Sequence, residues 1–219
     1  MSTPGSGFRP MPSGIRGFSA PRCRRCWMLL EDCFCDRLHR LDNRTRVILI
    51  SHWKDAGRTS NSGRLLWLLL DNLQVRFRNH PGGDDTLDDL ASLPGAALLY
   101  PSPGARELYP GGPAPEVLVV VDGTWRQARR LVQRHAALAH LPRVKLPPGP
   151  PSSYAARRQS SPERLSTAES VARALGILEG EHLQQAIMEP FHALVRGCLR
   201  ARGRLPGNRR GAGKISGGA

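Results

Sequence analysis

"EVLVVVDGTWRQARRL" occupies residues 116–131 and joins a run of apolar residues to a run rich in arginine. The first half is apolar and β-branched, which predicts a strand buried on both faces and ending at Asp122. The second half begins an amphipathic stretch that predicts a helix over residues 124–138. A strand that turns directly into a helix is the unit from which parallel α/β sheets are built.

Other segments repeat this alternation. "RVILIS" (46–51) and "AALLYPSPGA" (96–105) predict further strands, the second ending at Pro101. "SGRLLWLLLDNL" (62–73) predicts a helix, with Asn61 or Ser62 available as its N-cap, and residues 161–180 predict another. The expected fold is therefore α/β, with a mainly parallel sheet and helices on both faces.

The ends of the predicted strands mark the expected functional edge. Ligands of such sheets bind beyond the carboxyl ends of the strands, where Ser51, Ser102 and Asp122 fall. At the turn after Asp122, Gly123 permits close approach of the backbone to a ligand, and the following helix offers free N–H groups. At such a site Asp122 would take a proton or bind an ammonium group. The alternative is that Asp122 and Thr124 only cap the helix and that Trp125 packs in the core.

Four cysteines lie within thirteen residues in the pattern C-x2-C-x6-C-x-C, at Cys23, Cys26, Cys33 and Cys35. Four thiolates at this spacing predict a closed tetrahedral zinc site that folds the N-terminal segment and leaves no position for catalysis. Arg24 and Arg25 would offset its negative charge. An iron–sulfur cluster and unliganded or redox thiols are the alternatives.

Composition indicates a polyanionic partner. The 219 residues include 32 Lys+Arg against 18 Asp+Glu, a formal net charge of +14, which favours nucleic acid over an ordinary solvated surface. No apolar run approaches the roughly 18 residues that span a membrane, and the start lacks an apolar signal region, so we expect a cytoplasmic protein. We expect a disordered arm over 1–20, a zinc module over 21–40, a catalytic domain over 41–202 and a disordered basic tail over 203–219.

The motif "DGTW", preceded by an apolar strand and followed by "RQARRL", resembles the D-x-T-W motif of the DTW-domain family. The cysteine pattern and the segments "RTSNSGRLLWLLLDN", "LLYPS", "YAARRQ" and "RLSTAESVARAL" are similar to family segments in the same order. The resemblance covers residues 23 to about 195. "HWKD" (52–55) departs from the family's Pro and Glu after the His, which leaves the role of Asp55 open.

The resemblance implies a tRNA-uridine aminocarboxypropyltransferase with a fold similar to the knotted SPOUT methyltransferases. Such an enzyme moves the 3-amino-3-carboxypropyl group of S-adenosylmethionine to N3 of a uridine in tRNA and leaves methylthioadenosine. No obligate protein partner is implied, and the chain would act as a monomer or a homodimer. The alternatives are an aminocarboxypropyltransferase acting on ribosomal RNA, a SPOUT-type RNA methyltransferase and a non-catalytic zinc-containing RNA-binding protein.

Under this interpretation the predicted catalytic residues are Asp122, Thr124 and Trp125. The donor pocket is predicted to involve Asp122 and Gly123 together with the strand-end and helix-start residues Tyr100, Pro101, Ser102, Ser166, Thr167 and Glu169. Glu169 alternatively completes a capping box with Ser166. The predicted RNA-binding side chains, whose alternative is a solvated charged face, are Arg58, Arg64, Arg126, Arg129, Arg130, Arg157 and Arg158.

Overall fold

The computed structural model describes residues 21–83, 85–156 and 164–205. Its sheet consists of β1 (Arg46–His52), β2 (Leu73–Arg78), β3 (Ala96–Leu99), β4 (Arg106–Glu107), β5 (Val117–Asp122) and β6 (Arg143–Lys145). The helices are α1 (Trp53–Ala56), α2 (Gly63–Leu69), α3 (Trp125–Arg134), α4 (Ala136–His140), α5 (Thr167–Glu179) and α6 (Glu181–Arg200). Short 3-10 turns occupy Leu30–Asp32, Cys35–Arg37 and Asp88–Ser92.

The strand order is β2-β1-β5-β3-β6-β4, and every pairing in this described sheet is parallel. The prediction of a parallel α/β fold is confirmed. Strands β1 and β5 lie side by side inside the sheet, with Ser51 opposite Asp122 in their register. Both predicted strand-end residues therefore meet at one point of the carboxyl edge.

Side chains of β5 alternate between two cores, as expected for a strand covered on both faces. Leu118 and Val120 pack in the larger core with residues of α2, α5 and α6. Val117 and Val119 pack in the smaller core with residues of α3 and α4. The apolar composition of the strand follows from this double burial.

Several predicted element boundaries were wrong. The helix predicted over 62–73 ends at Leu69, because Leu73 already pairs with Val47 at the start of β2. The helix predicted over 124–138 is interrupted at His135, whose extended backbone (φ −97°, ψ 113°) separates α3 from α4. The helix predicted over 161–180 is described from residue 164 and begins at Thr167, where Ser166 caps it.

The cysteine segment packs against the rest of the chain. Met28 and Phe34 belong to the larger core together with Phe191 of α6. Asp32 Oδ1 and Arg200 Nη2 form an ion pair at 2.5 Å, and the Asp32 side chain is almost fully buried. The two ends of the described chain are thus joined through one core. None of the described helices is both long and apolar enough to cross a membrane.

Candidate functional site

Asp122 lies at the end of β5 and receives hydrogen bonds from three other segments. Ser51 Oγ and Asn61 Nδ2 donate to its Oδ2 at 2.8 and 2.7 Å, and Thr167 Oγ1 donates to its Oδ1 at 2.8 Å. The residue is only 6% exposed. All three donors are neutral, and no cationic side chain of the described residues pairs with the carboxylate. A buried charge is stable only when it is compensated, so this carboxylate is suited to receive a cationic ligand group.

Residues 57–62 form the loop that brings Asn61 to Asp122. Asn61 Oδ1 accepts a hydrogen bond from the backbone N–H of Arg64 at 2.7 Å, so its side chain caps the start of α2. Gly63 lies so close to Asp122 that an added Cβ would stand 2.7 Å from the carboxylate carbon. The glycine is therefore required by the close approach of helix and strand.

A cavity of about 480 Å³ opens at the carboxyl edge beside β5. Five of the predicted site residues line it, namely Tyr100, Pro101, Gly123, Trp125 and Thr167. The half-buried Trp125 ring lies 6.3 Å from the ring of Tyr100 between centroids. The volume is within the range of about 300–1,000 Å³ that is usual for small-molecule sites. Asp122 does not line this cavity itself, but it accepts a hydrogen bond from Thr167, which does.

Three further residues predicted to bind the donor, Ser102, Ser166 and Glu169, do not line this cavity. Ser102 Oγ is buried and has no hydrogen-bond partner within the described residues. Ser166 and Glu169 form a reciprocal capping box at the start of α5. Glu169 is 2% exposed, and its carboxylate also accepts from Ser152 Oγ and the Ser153 backbone N–H at 2.6 and 2.7 Å. These contacts attach the loop after β6 to α5.

Thr124 and Gln127 form a second capping box, at the start of α3. Gln127 Oε1 accepts from the Thr124 backbone N–H at 2.7 Å, while its Nε2 donates to Asp55 Oδ2 at 2.8 Å. Asp55 is buried and also pairs with Arg58 Nε at 3.0 Å. Asp55 therefore connects the end of β1 to α3, which gives it a structural role despite its departure from the family pattern.

The arginines predicted to bind RNA differ in exposure. Arg58, Arg126, Arg129 and Arg130 are exposed, whereas Arg157 and Arg158 lie outside the described residues. Arg64 is only 5% exposed, so the structure does not present it to RNA. Its Nε and Nη2 donate to the Arg25 carbonyl at 2.9 and 2.7 Å, and its guanidinium lies 4.6 Å from the Trp27 ring.

The four clustered cysteines come together with all sulfur atoms within 4.8 Å of one another. Cys23 and Cys35 are 3.7 Å apart between sulfurs, and Cys26 and Cys33 are 3.8 Å apart. A tetrahedron with metal–sulfur bonds of about 2.3 Å has edges of about 3.8 Å, so a single tetrahedral ion fits. Burial raises the pKa of the Cys26 thiol to about 11. Burial acts in the same direction on Cys23, but hydrogen bonds from backbone N–H groups and from the neighbouring thiols together outweigh it and lower its pKa to about 7.

Arg64 connects this cluster to Asp122. Its side chain binds the carbonyl of Arg25, which lies between the first two cysteines, while its backbone N–H binds Asn61. Asn61 in turn donates to Asp122. Burial lowers the pKa of Arg64 to about 10, and the neighbouring thiols Cys26 and Cys23 act in the opposite direction. At neutral pH the arginine therefore remains a cation beside the cysteine cluster.

Some residues of the site were missed by sequence reasoning. Lys145 at the end of β6 and the loop residues 146–150 line the cavity, and Arg173 lines it from α5. The run "KLPPGPPSS" carried a signal, because prolines and a glycine after a short apolar segment indicate a loop at a strand end. Gly63 had a weaker signal, as an isolated glycine at the start of a predicted helix.

Comparison with known proteins agrees with the motifs. The model of the DTW domain matches residues 20–199. The chain is 30% identical over 185 residues to "tRNA-uridine aminocarboxypropyltransferase 2" of Macaca fascicularis, covering 80% of this chain and 62% of that protein. It is 30% identical over 186 residues to the protein of the same name from Drosophila melanogaster, covering 80% of this chain and 74% of the relative. No solved structure matches. The chain belongs to the DTW-domain family.

Proposed function

We propose that this protein transfers the 3-amino-3-carboxypropyl group of S-adenosylmethionine to N3 of a uridine in tRNA and releases methylthioadenosine. The names of the relatives support the reaction class. The observation that carries the proposal is a buried carboxylate, Asp122, that has three neutral donors and no cationic partner among the described residues, beside a cavity of small-molecule size.

The donor occupies the cavity lined by Tyr100, Pro101, Gly123, Trp125 and Thr167. The positive sulfur of the donor activates all three carbons attached to it, so the geometry of the site selects the carbon that reacts. The uridine N3 forms a bond to the γ-carbon of the aminocarboxypropyl group, the carbon–sulfur bond breaks, and its electron pair converts the sulfonium into the thioether of methylthioadenosine. The proton of N3 leaves to a base or to solvent.

Asp122 binds the positively charged part of the donor in this proposal. The carboxylate, which has no cationic partner among the described residues, would compensate the charge of the ammonium or the sulfonium. Removal of the N3 proton by Asp122 is the competing role. The two roles are distinguished by donor affinity, since Asp122→Asn weakens donor binding in the first case and leaves it unchanged in the second.

Zinc is the metal we propose for Cys23, Cys26, Cys33 and Cys35, because the sulfur separations suit one tetrahedral ion. An iron–sulfur cluster requires wider separations between some of the thiolates, since they bind two or four different irons instead of one ion. All four ligands come from the protein, so the ion supports folding. A SPOUT-like, knotted arrangement of the domain over 41–202 is part of the proposal and rests on the family resemblance.

The experiment uses S-adenosylmethionine labelled in the methionine carboxyl carbon or, separately, in the methyl group. Purified protein is incubated with unmodified tRNA and, in parallel, with ribosomal RNA. We expect carboxyl label in tRNA together with released methylthioadenosine. Methyl label in the RNA would assign a methyltransferase instead, and carboxyl label in ribosomal RNA alone would change the substrate. RNA binding without either label would refute the enzymatic proposal.

A further inference from the structure

A second cavity, of about 390 Å³, opens on the other side of the end of β5, next to β1 and β2. Its wall includes Ser51, Asp122 and the apolar side chains of Ile50, Val121 and Leu131. Val121 also lines the first cavity. The two cavities are therefore neighbours, separated by the strand end that carries Asp122.

Three arginines from two elements line this second cavity. Arg130 and Arg134 come from α3, one helical turn apart, and Arg78 comes from the end of β2. Neither Arg130 nor Arg134 has a carboxylate partner among the described residues, and both are exposed. Arg78 donates to the Asp85 carbonyl at 3.4 Å, which holds the β2 end at the rim. An unpaired pair of guanidinium groups at the mouth of a partly apolar cavity favours an anion attached to an apolar body.

We propose that this cavity binds the acceptor nucleotide of the RNA. The base lies against Ile50, Val121 and Leu131, and the guanidinium groups of Arg130 and Arg134 bind the phosphates on either side of it. This inference rests on the proposed function, since it assigns the acceptor half of the same site. A single extruded nucleotide suits a cavity of this size, and recognition of an unpaired base is the usual route to a specific position in RNA.

Two exposed arginines elsewhere on the protein provide the control. Arg37 and Arg196 line neither cavity and are not among the predicted RNA-binding residues. A double variant Arg130→Gln/Arg134→Gln and a double variant Arg37→Gln/Arg196→Gln each remove two positive charges from the surface. General attraction between the protein and RNA is therefore reduced to a similar extent in both.

The first measurement is equilibrium binding of an unmodified tRNA transcript over a series of salt concentrations, without S-adenosylmethionine. We expect the cavity variant to bind at least about tenfold more weakly, and the control variant to change by less than about threefold. Two lost phosphate contacts at about 0.7 each should reduce the salt slope of the cavity variant by about 1.4. Equal weakening by the two double variants would overturn the assignment.

The second measurement is binding of S-adenosylmethionine in the absence of RNA, which we expect to be unchanged in both double variants. Loss of donor binding in the cavity variant alone would overturn the division into donor and acceptor cavities. Both measurements are independent of catalysis. A failure to transfer any group would count against the proposed function, while the RNA comparison would still test this cavity. If the cavity double variant unfolds, the single variants Arg130→Gln and Arg196→Gln provide the same comparison.

Discussion

Replacement of Gly63 by alanine tests whether Asp122 is fixed by the close approach of α2. A Cβ at this position would lie 2.7 Å from the Asp122 carboxylate carbon and 2.8 Å from both of its oxygens. Such distances are far inside van der Waals contact, so the carboxylate must shift. Its oxygens are held by Ser51, Asn61 and Thr167, and a shift breaks some of those hydrogen bonds.

The expected cost can be derived from these contacts. Overpacking a close contact costs about 1–3 kcal/mol, and each hydrogen bond to a charged group contributes about 1.5–3 kcal/mol. We therefore expect Gly63→Ala to lower the free energy of unfolding by about 2–4 kcal/mol. The ordinary preference of a helix for alanine acts in the opposite direction, by at most about 1 kcal/mol.

A double-mutant cycle with Asp122→Ala isolates the clash. The free energy of unfolding is measured by denaturant titration for the original protein, both single variants and the double variant. In the Asp122→Ala background the carboxylate is absent, so Gly63→Ala should be neutral or slightly stabilising. The coupling between the two changes should be about 2–5 kcal/mol. An equal cost in both backgrounds, or no cost in the original protein, would refute the reasoning.

Three further predictions follow from other contacts. Asp89→Asn should destabilise the protein by about 1–3 kcal/mol in thermal or denaturant unfolding, because it weakens two hydrogen bonds, of 2.5 and 2.8 Å, from the buried Arg76. These hydrogen bonds hold the pKa of Asp89 below its usual value. Their contribution to stability is therefore present above the usual pKa and is lost as the pH falls through the lowered pKa. Asp89→Asn should abolish this pH dependence of the free energy of unfolding. Cys33→Ser should remove bound zinc, measured by elemental analysis, and lower the unfolding temperature, whereas Cys198→Ser should retain the metal; equal metal content in both variants would contradict the assigned ligands. Lysine at residue 64 cannot reproduce the paired contacts of Arg64 with the Arg25 carbonyl. Arg64→Lys should therefore weaken donor affinity without reducing metal content. Unchanged donor affinity would show that the position of Asn61 does not depend on the contacts between Arg64 and Arg25.

The sequence predicted the sheet edge well because the relevant signals are local. An apolar run that ends in a polar residue marks the end of β5 at Asp122, and the same pattern marks the end of β1 near Ser51. Conversely, the first residue of β2 was predicted as part of a helix, because "LLWLLLDNL" (65–73) is apolar except at Asp71 and Asn72 and shows no alternation typical of a strand. Only the pairing of Leu73 with Val47, a tertiary contact, ends the helix and begins the strand.

The partners of Asp122 could not be predicted from spacing. Asn61 and Thr167 are 61 and 45 residues away from Asp122 in the chain, and their meeting depends on the packing of α2 and α5 on the same face of the sheet. Arg64 illustrates the opposite error. An arginine in a polar segment indicates a surface cation, yet the cysteine segment covers it and supplies a carbonyl and an aromatic ring as its environment. Burial of this kind is a property of the assembled core.

The two proposed cavities constrain how the reaction proceeds. Displacement at carbon requires the nucleophile and the leaving sulfur to lie on opposite sides of the carbon that is attacked, with the reacting atoms about 3–3.5 Å apart. Donor and acceptor must then approach across the end of β5, where Val121 lines both cavities and Gly123 lines the donor cavity. A side chain at residue 123 would extend toward Gln127, whose Oε1 lies 3.2 Å from the position of an added Cβ. The glycine thus leaves room beside the capping box. Under the proposed division into donor and acceptor cavities, Asp122 lies between them at the strand end, held by three separate segments, and would set the direction of attack.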